Sequence, residues 1–196
     1  MPDEQTGLRE ALKRVATALK ETGVPFALAG GYAAWARGGP EPSHDADFLI
    51  DPDDAEKVAA SLEEKGLEVV RPPEDWLFKV FSDGAMVDVL YRAAGSDVVG
   101  PTLERATEVE VLSVWMPVLS ATDVIVQKFS VLTERYCDLG AVLPSARALR
   151  EQVDWDLVRD TVAGNPYAEV TVELLERLGI VGPAGGTSER ENRAGT

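Results

Sequence analysis

The sequence predicts an α/β (α+β) protein, a mixed β-sheet flanked by helices and followed by a helical C-terminal part. Three observations carry this. Short apolar segments alternate with amphipathic helical stretches over the first ninety residues. Asp83-Gly84 separates two strand-like runs and is the strongest hairpin signal in the chain. After Ser120 the apolar spacing becomes helical.

The elements follow in order. Leu8, Leu12, Val15 and Leu19 recur at helical spacing, so residues 6–22 read as an amphipathic helix ended by Gly23. Phe26–Ala29 reads as a short strand. Gly30-Gly31 turns into a helix over Tyr32–Arg37, broken by Gly38-Gly39-Pro40. Ala46–Ile50 is the next strand. Asp51-Pro52-Asp53-Asp54 supplies a capping acid, a first-turn proline and further acids for a helix running to Lys65. Leu67–Val70, Trp76–Ser82 and Ala85–Tyr91 are strands, and Ser96–Pro101 is a loop. Val109–Leu112 and Val114–Leu119 form a second hairpin, with Pro117 confining its strand to a sheet edge. Ser120-Ala121-Thr122-Asp123 opens a helix carrying Val124, Ile125 and Lys128. Further helices reach Arg177 around breaks at Leu143-Pro144 and Gly164-Asn165-Pro166, and Gly182–Thr196 is a polar tail expected to be disordered. The implied organisation is a core over 1–120, a helical subdomain over 121–181 and a tail over 182–196.

Bulk properties narrow the classes. A chain of 196 residues with 45% hydrophobic content suits one domain with a small appendage. Cys137 is the one cysteine, which excludes an internal disulfide and is expected to be packed. There is neither a signal-peptide pattern nor an apolar run of membrane-spanning length, so a cytoplasmic protein is expected. The formal net charge of −15 opposes broad nucleic-acid binding and favours cationic partners.

Chemistry concentrates in three aspartates. Asp45 and Asp47 in Ser43-His44-Asp45-Ala46-Asp47 alternate on a strand and so share a face. Asp88, in Met86-Val87-Asp88-Val89-Leu90, joins them if its strand lies alongside. Crowded carboxylates repel unless cations sit among them, and hard oxygen donors suit Mg²⁺. Several neighbours are open to plainer readings. His44 reads as a flanking loop residue, Arg37 as a contact to phosphate or to a surface acid, and Trp76 with Phe78 as core packing.

The order Gly30, Gly31, Asp45, Asp47, Asp88 resembles that of the DNA-polymerase-β-type nucleotidyltransferase superfamily. The resemblance spans residues 24–92. More loosely, Ser120–Asp138 is similar to abortive-infection-type nucleotidyltransferase toxins, and the Gly-Gly-aromatic opening to small antibiotic nucleotidyltransferases. The resemblance implies transfer of an NMP from an NTP such as ATP, with Mg²⁺ or Mn²⁺, to an acceptor, releasing pyrophosphate. It implies Asp45, Asp47 and Asp88 as metal ligands and places Gly30, Gly31 and Ser43 near the phosphates. It gives Lys128 a phosphate-neutralising role and leaves that of Asp138 open. The family often has Ser where this chain has Gly31, which leaves only a backbone contact there. The implied acceptor is tRNA or protein, for the toxin of a toxin–antitoxin pair with a cognate antitoxin, or a small hydroxyl compound of aminoglycoside or lincosamide type. A catalytically inactive nucleotide-binding or interaction domain is the non-enzymatic alternative.

Overall fold

A computed structural model describes residues 4–92 and 99–183. In chain order the elements are α1 (Glu4–Thr22), β1 (Phe26–Ala29), α2 (Gly30–Ala36), β2 (Asp47–Ile50), a 3₁₀ turn (Pro52–Asp54) and α3 (Ala55–Glu64). Then come β3 (Glu68–Val70), β4 (Leu77–Ser82), β5 (Ala85–Leu90), α4 (Gly100–Glu104), β6 (Thr107–Val111) and β7 (Val114–Val118). Four helices close the chain: α5 (Ala121–Ser130), α6 (Leu139–Leu149), α7 (Trp155–Val162) and α8 (Pro166–Arg177).

The seven strands form one mixed sheet in the order β3-β4-β5-β2-β1-β7-β6. The pairs β2–β5 and β1–β7 are parallel, and the other neighbours are antiparallel. Alternation divides its side chains between two faces. Val80, Ser82, Ala85 and Val87 belong to one face. The apolar stripe of α1 runs across it, and Arg14 donates to Ser82 Oγ at 3.3 Å. The other face carries Asp47, Leu49, Lys79, Asp88 and Leu90, and α2 covers its β1–β2 part with α5 packed against α2. One continuous apolar core joins the sheet to the C-terminal helices.

Local chemistry explains the turns. Asp83 and Gly84 both have positive φ (50° and 85°), as a tight two-residue hairpin loop requires. Asp51 caps the 3₁₀ turn by accepting from Asp53 N at 3.0 Å, and Pro52 sits in its first turn. Asn165 accepts from the backbone of Tyr167 and Ala168, with Pro166 opening α8.

Four expectations need correction. Pro117 does not hold its strand at an edge: β7 lies between β1 and β6. Leu119 N donates to Leu28 O, so by alternation the Pro117 nitrogen faces the same side. Lacking a hydrogen, it leaves β1–β7 paired only at Leu28 and Val118. Pro144 does not break a helix but lies inside α6. Gly100 and Pro101 start α4 rather than ending a loop, because proline is tolerated in a first turn. Cys137 is exposed, on the segment between α5 and α6. Of the predicted loop Ser96–Pro101, residues 96–98 lie outside the described residues, as does the tail beyond Pro183. Among the described residues, no helix is long and apolar enough to cross a membrane.

Candidate active site

The site is built where β1 hands over to α2. Gly30 has φ +58°, a left-handed conformation that favours glycine. A Cβ there would collide with the Asp47 carboxylate, 2.8 Å from its Cγ. Gly31 has its own constraint, since a Cβ would stand 2.8 Å from Pro42 Cβ. The two glycines thus let the backbone approach Asp47 on one side and the Pro42 loop on the other.

Asp47 is the first residue of β2, and its partner in the parallel ladder is Asp88 on β5. Directly paired residues project to the same face, so these two carboxylates are neighbours across the ladder. Asp88 N also donates to Ala46 O at 2.8 Å. Asp45 lies two residues before the strand, in an exposed loop with Ser43 and His44, rather than on it. It still stands close enough to raise the proton affinity of Asp47. Burial, then the charges of Asp88 and Asp45, push the Asp47 carboxyl up from 3.8 to about 7, against the opposing pull of Lys128 and Lys79.

Lys128, on α5, is near enough to Asp47 for their charges to act on each other. Its ammonium is held below its usual value by burial, with Asp47 opposing that shift. The helix is fixed by Ser120, whose Oγ accepts from Asp123 N at 3.0 Å and donates to the Asp123 carboxylate. Arg105 closes on buried Asp123 from the sheet side at 2.5 and 3.1 Å. This cluster sets the position from which Lys128 extends.

Other candidates have structural duties. Arg37 turns inward: it donates to Leu119 O, to Val118 O at 2.8 Å and to Thr107 Oγ1 at 2.9 Å. Its own carbonyl accepts from Gln152 Nε2 at 2.9 Å. Asp138 caps α6, accepting from Ala141 N at 3.1 Å. Phe78 is buried and stacks on Tyr91, whereas Trp76 precedes β4 and is 44% exposed, so the two do not share a packing role.

Lys79 is the residue that motif reasoning passed over as a partner of the acids. It pairs with Asp88 across the β4–β5 hairpin and binds its carboxylate at 3.0 Å. The signal was present, because a two-residue turn at Asp83-Gly84 pairs positions equidistant from it.

The donor set is carboxylate oxygen with a shortage of positive charge, which fits a hard divalent cation. The rise at Asp47 is the observation behind this fit, since a nearby cation would relieve it. Among the described residues no three His, Cys, Asp or Glu side chains are already gathered into a metal cluster.

No protein-family model matches the chain, and no curated protein matches it by sequence. Solved structures do match. The crystal structure of ANT(2″)-Ia in complex with adenylyl-2″-tobramycin aligns with a TM-score of 0.55 at 15% identity, over 87% of this chain and 98% of that one. The solution structure of the antibiotic-resistance factor ANT(2″)-Ia aligns at 0.55 and 16% identity, over 89% and 95%. An antigenic nucleotidyltransferase-like protein from Paracoccidioides brasiliensis aligns at 0.55 and 13%, over 88% of each chain. The chain therefore has the fold of the polymerase-β-like nucleotidyltransferases: a mixed seven-stranded sheet, flanking helices and a helical C-terminal part. The antibiotic-resistance factor ANT(2″)-Ia is among the proteins that share it.

Proposed function

We propose that this chain is a divalent-metal-dependent nucleotidyltransferase that moves an NMP unit from an NTP to a hydroxyl-bearing acceptor and releases pyrophosphate. The observation that carries the reading is the register of Asp47 against Asp88, with Gly30 clearing the space beside Asp47. In this reading Asp45, Asp47 and Asp88 hold the metal. Bound metal supplies charge neutralisation for an in-line displacement at phosphorus. Gly30 and Gly31 admit the triphosphate against bare backbone. Lys128 neutralises phosphate charge from α5, and Ser43 stands in the loop that borders the phosphates. Asp88 faces the acceptor and takes the proton of its hydroxyl.

For the acceptor we infer a small, cationic hydroxyl compound. An RNA acceptor needs a basic collar around the acids to overcome the net charge of −15. Of Arg37, Lys79 and Arg135, the cations that could build such a collar, Arg37 is spent on backbone carbonyls and Lys79 on Asp88, which leaves the exposed Arg135. Asp138, one of the residues that suggested a toxin, is occupied as a helix cap. Likeness to ANT(2″)-Ia over almost its full length agrees with a small acceptor. The test is incubation of the protein with each labelled NTP and Mg²⁺ against total tRNA, lysate protein and a panel of aminoglycosides. Label on an aminoglycoside supports the reading. Label on tRNA or protein replaces the acceptor assignment by the toxin alternative, and NTP binding without transfer to any of them replaces it by the inactive domain.

A further inference from the structure

Three strands carry one row of charges across the open face. Lys79 on β4 pairs with Asp88 on β5, and Asp88 pairs with Asp47 on β2. The Lys79 Nζ reaches both oxygens of Asp88, at 3.0 and 3.4 Å, and lies 3.4 Å from Met86 Sδ. The pair is partly buried, with 30% of the lysine side chain and 16% of the aspartate exposed. Solvent therefore screens it less than a surface pair. Of the three candidate metal ligands, Asp88 is thus the one with a protein cation seated on both its oxygens.

We propose that Lys79 is a resident counter-cation of Asp88, which a divalent ion must displace to reach that carboxylate. The inference rests on the reading of Asp88 as a metal ligand. An ammonium facing both oxygens occupies the lone pairs that a metal would use. Its charge also offsets repulsion between Asp88 and Asp47 in the metal-free protein, and its flexible four-carbon stem allows it to withdraw without moving the strand. A first ion then enters at Asp45 and Asp47, while loading at Asp88 is weakened by the lysine. Lys79 is in these terms a positioning residue.

The test is titration of the full chain with Mn²⁺, without nucleotide, followed by the electron paramagnetic resonance of free Mn²⁺. Lys79→Met should bind Mn²⁺ more tightly, on the order of tenfold, and Lys79→Arg should behave as the parent. Adding Asp88→Asn to Lys79→Met should abolish the gain. Equal affinity in the parent and Lys79→Met, with binding lost in Asp47→Asn, overturns the inference and leaves the metal site standing. Absence of Mn²⁺ binding in every variant overturns the metal reading and this inference with it. Melting temperature gives a second readout. Metal-free Lys79→Met should melt lower than the parent and recover more on adding Mn²⁺. If Lys79→Met does not fold, Lys79→Gln is read in the same way.

Discussion

Replacing Asp47 by Asn should stabilise the metal-free protein, against the usual cost of changing a partly buried polar residue. The carboxyl of Asp47 sits at about 7 in the fold and near 3.8 when unconstrained. Between those values the folded chain holds a proton that the unfolded chain has released. Stability therefore falls as pH rises from about 4 to about 7, and the full penalty is present above 7. The difference is worth at most roughly 4 kcal/mol, and water entry or local relaxation halves it to about 2 kcal/mol. For a chain of this length that is a rise of roughly 4–8 °C in melting temperature for Asp47→Asn at pH 8. The assay is thermal unfolding of parent and variant in EDTA from pH 4 to 8. The gap should be near zero at pH 4 and widen to its full value by pH 8. Added Mg²⁺ should then raise the parent and leave the variant unmoved, as binding to the native state stabilises it. A variant that melts at or below the parent at pH 8 would refute the reasoning, because the charge of Asp47 would then carry no strain.

Further outcomes follow from the same geometry. Gly30→Ala should lose about 1–2 kcal/mol from the left-handed backbone alone and more from its collision with Asp47, measured as denaturant midpoint together with loss of NTP binding. Lys128→Ala should weaken NTP binding and slow transfer equally for every acceptor, so acceptor KM stays unchanged in steady-state kinetics. Arg37→Ala should destabilise the fold by about 2–3 kcal/mol through unsatisfied buried carbonyls, and the salt dependence of acceptor binding should not change. Under the RNA alternative that salt slope would flatten.

The parts of the site legible in the sequence are those fixed by short-range rules. A strand–glycine–helix junction, an Asp-Gly turn and an alternating Asp pattern each depend on a few neighbouring residues. They foretold Gly30, Asp47 and Asp88 as members of one region. Less legible was anything that depends on distant pairing. That β7 inserts beside β1, and so places Pro117 in the sheet interior, is decided by contacts some ninety residues apart. The displacement of Asp45 from strand to loop reflects where pairing with β1 stops, at Ala29 opposite Asp47. Arg37 could be seen as a charge, but its partners lie about eighty residues away. The Lys79–Asp88 pair belongs to the first group, since counting outward from Asp83-Gly84 finds it.

The close approach of Gly30 to Asp47 has a bearing on how such a site decays. Two demands hold position 30 to glycine: the backbone angle, and the carboxylate in the way of any Cβ. Loss of Asp47 to a small residue would lift the second demand and leave only the first, which Asn or Asp meets at modest expense. A lineage that has dropped the carboxylate is then free to drift at position 30, and each substitution there blocks the way back. Restoring Asp47 alone would drive its side chain into the new Cβ. In chains of this architecture the pair should be kept or lost together. Under the function proposed above, a non-glycine residue at the place of Gly30 would mark a chain that no longer holds a metal at Asp47.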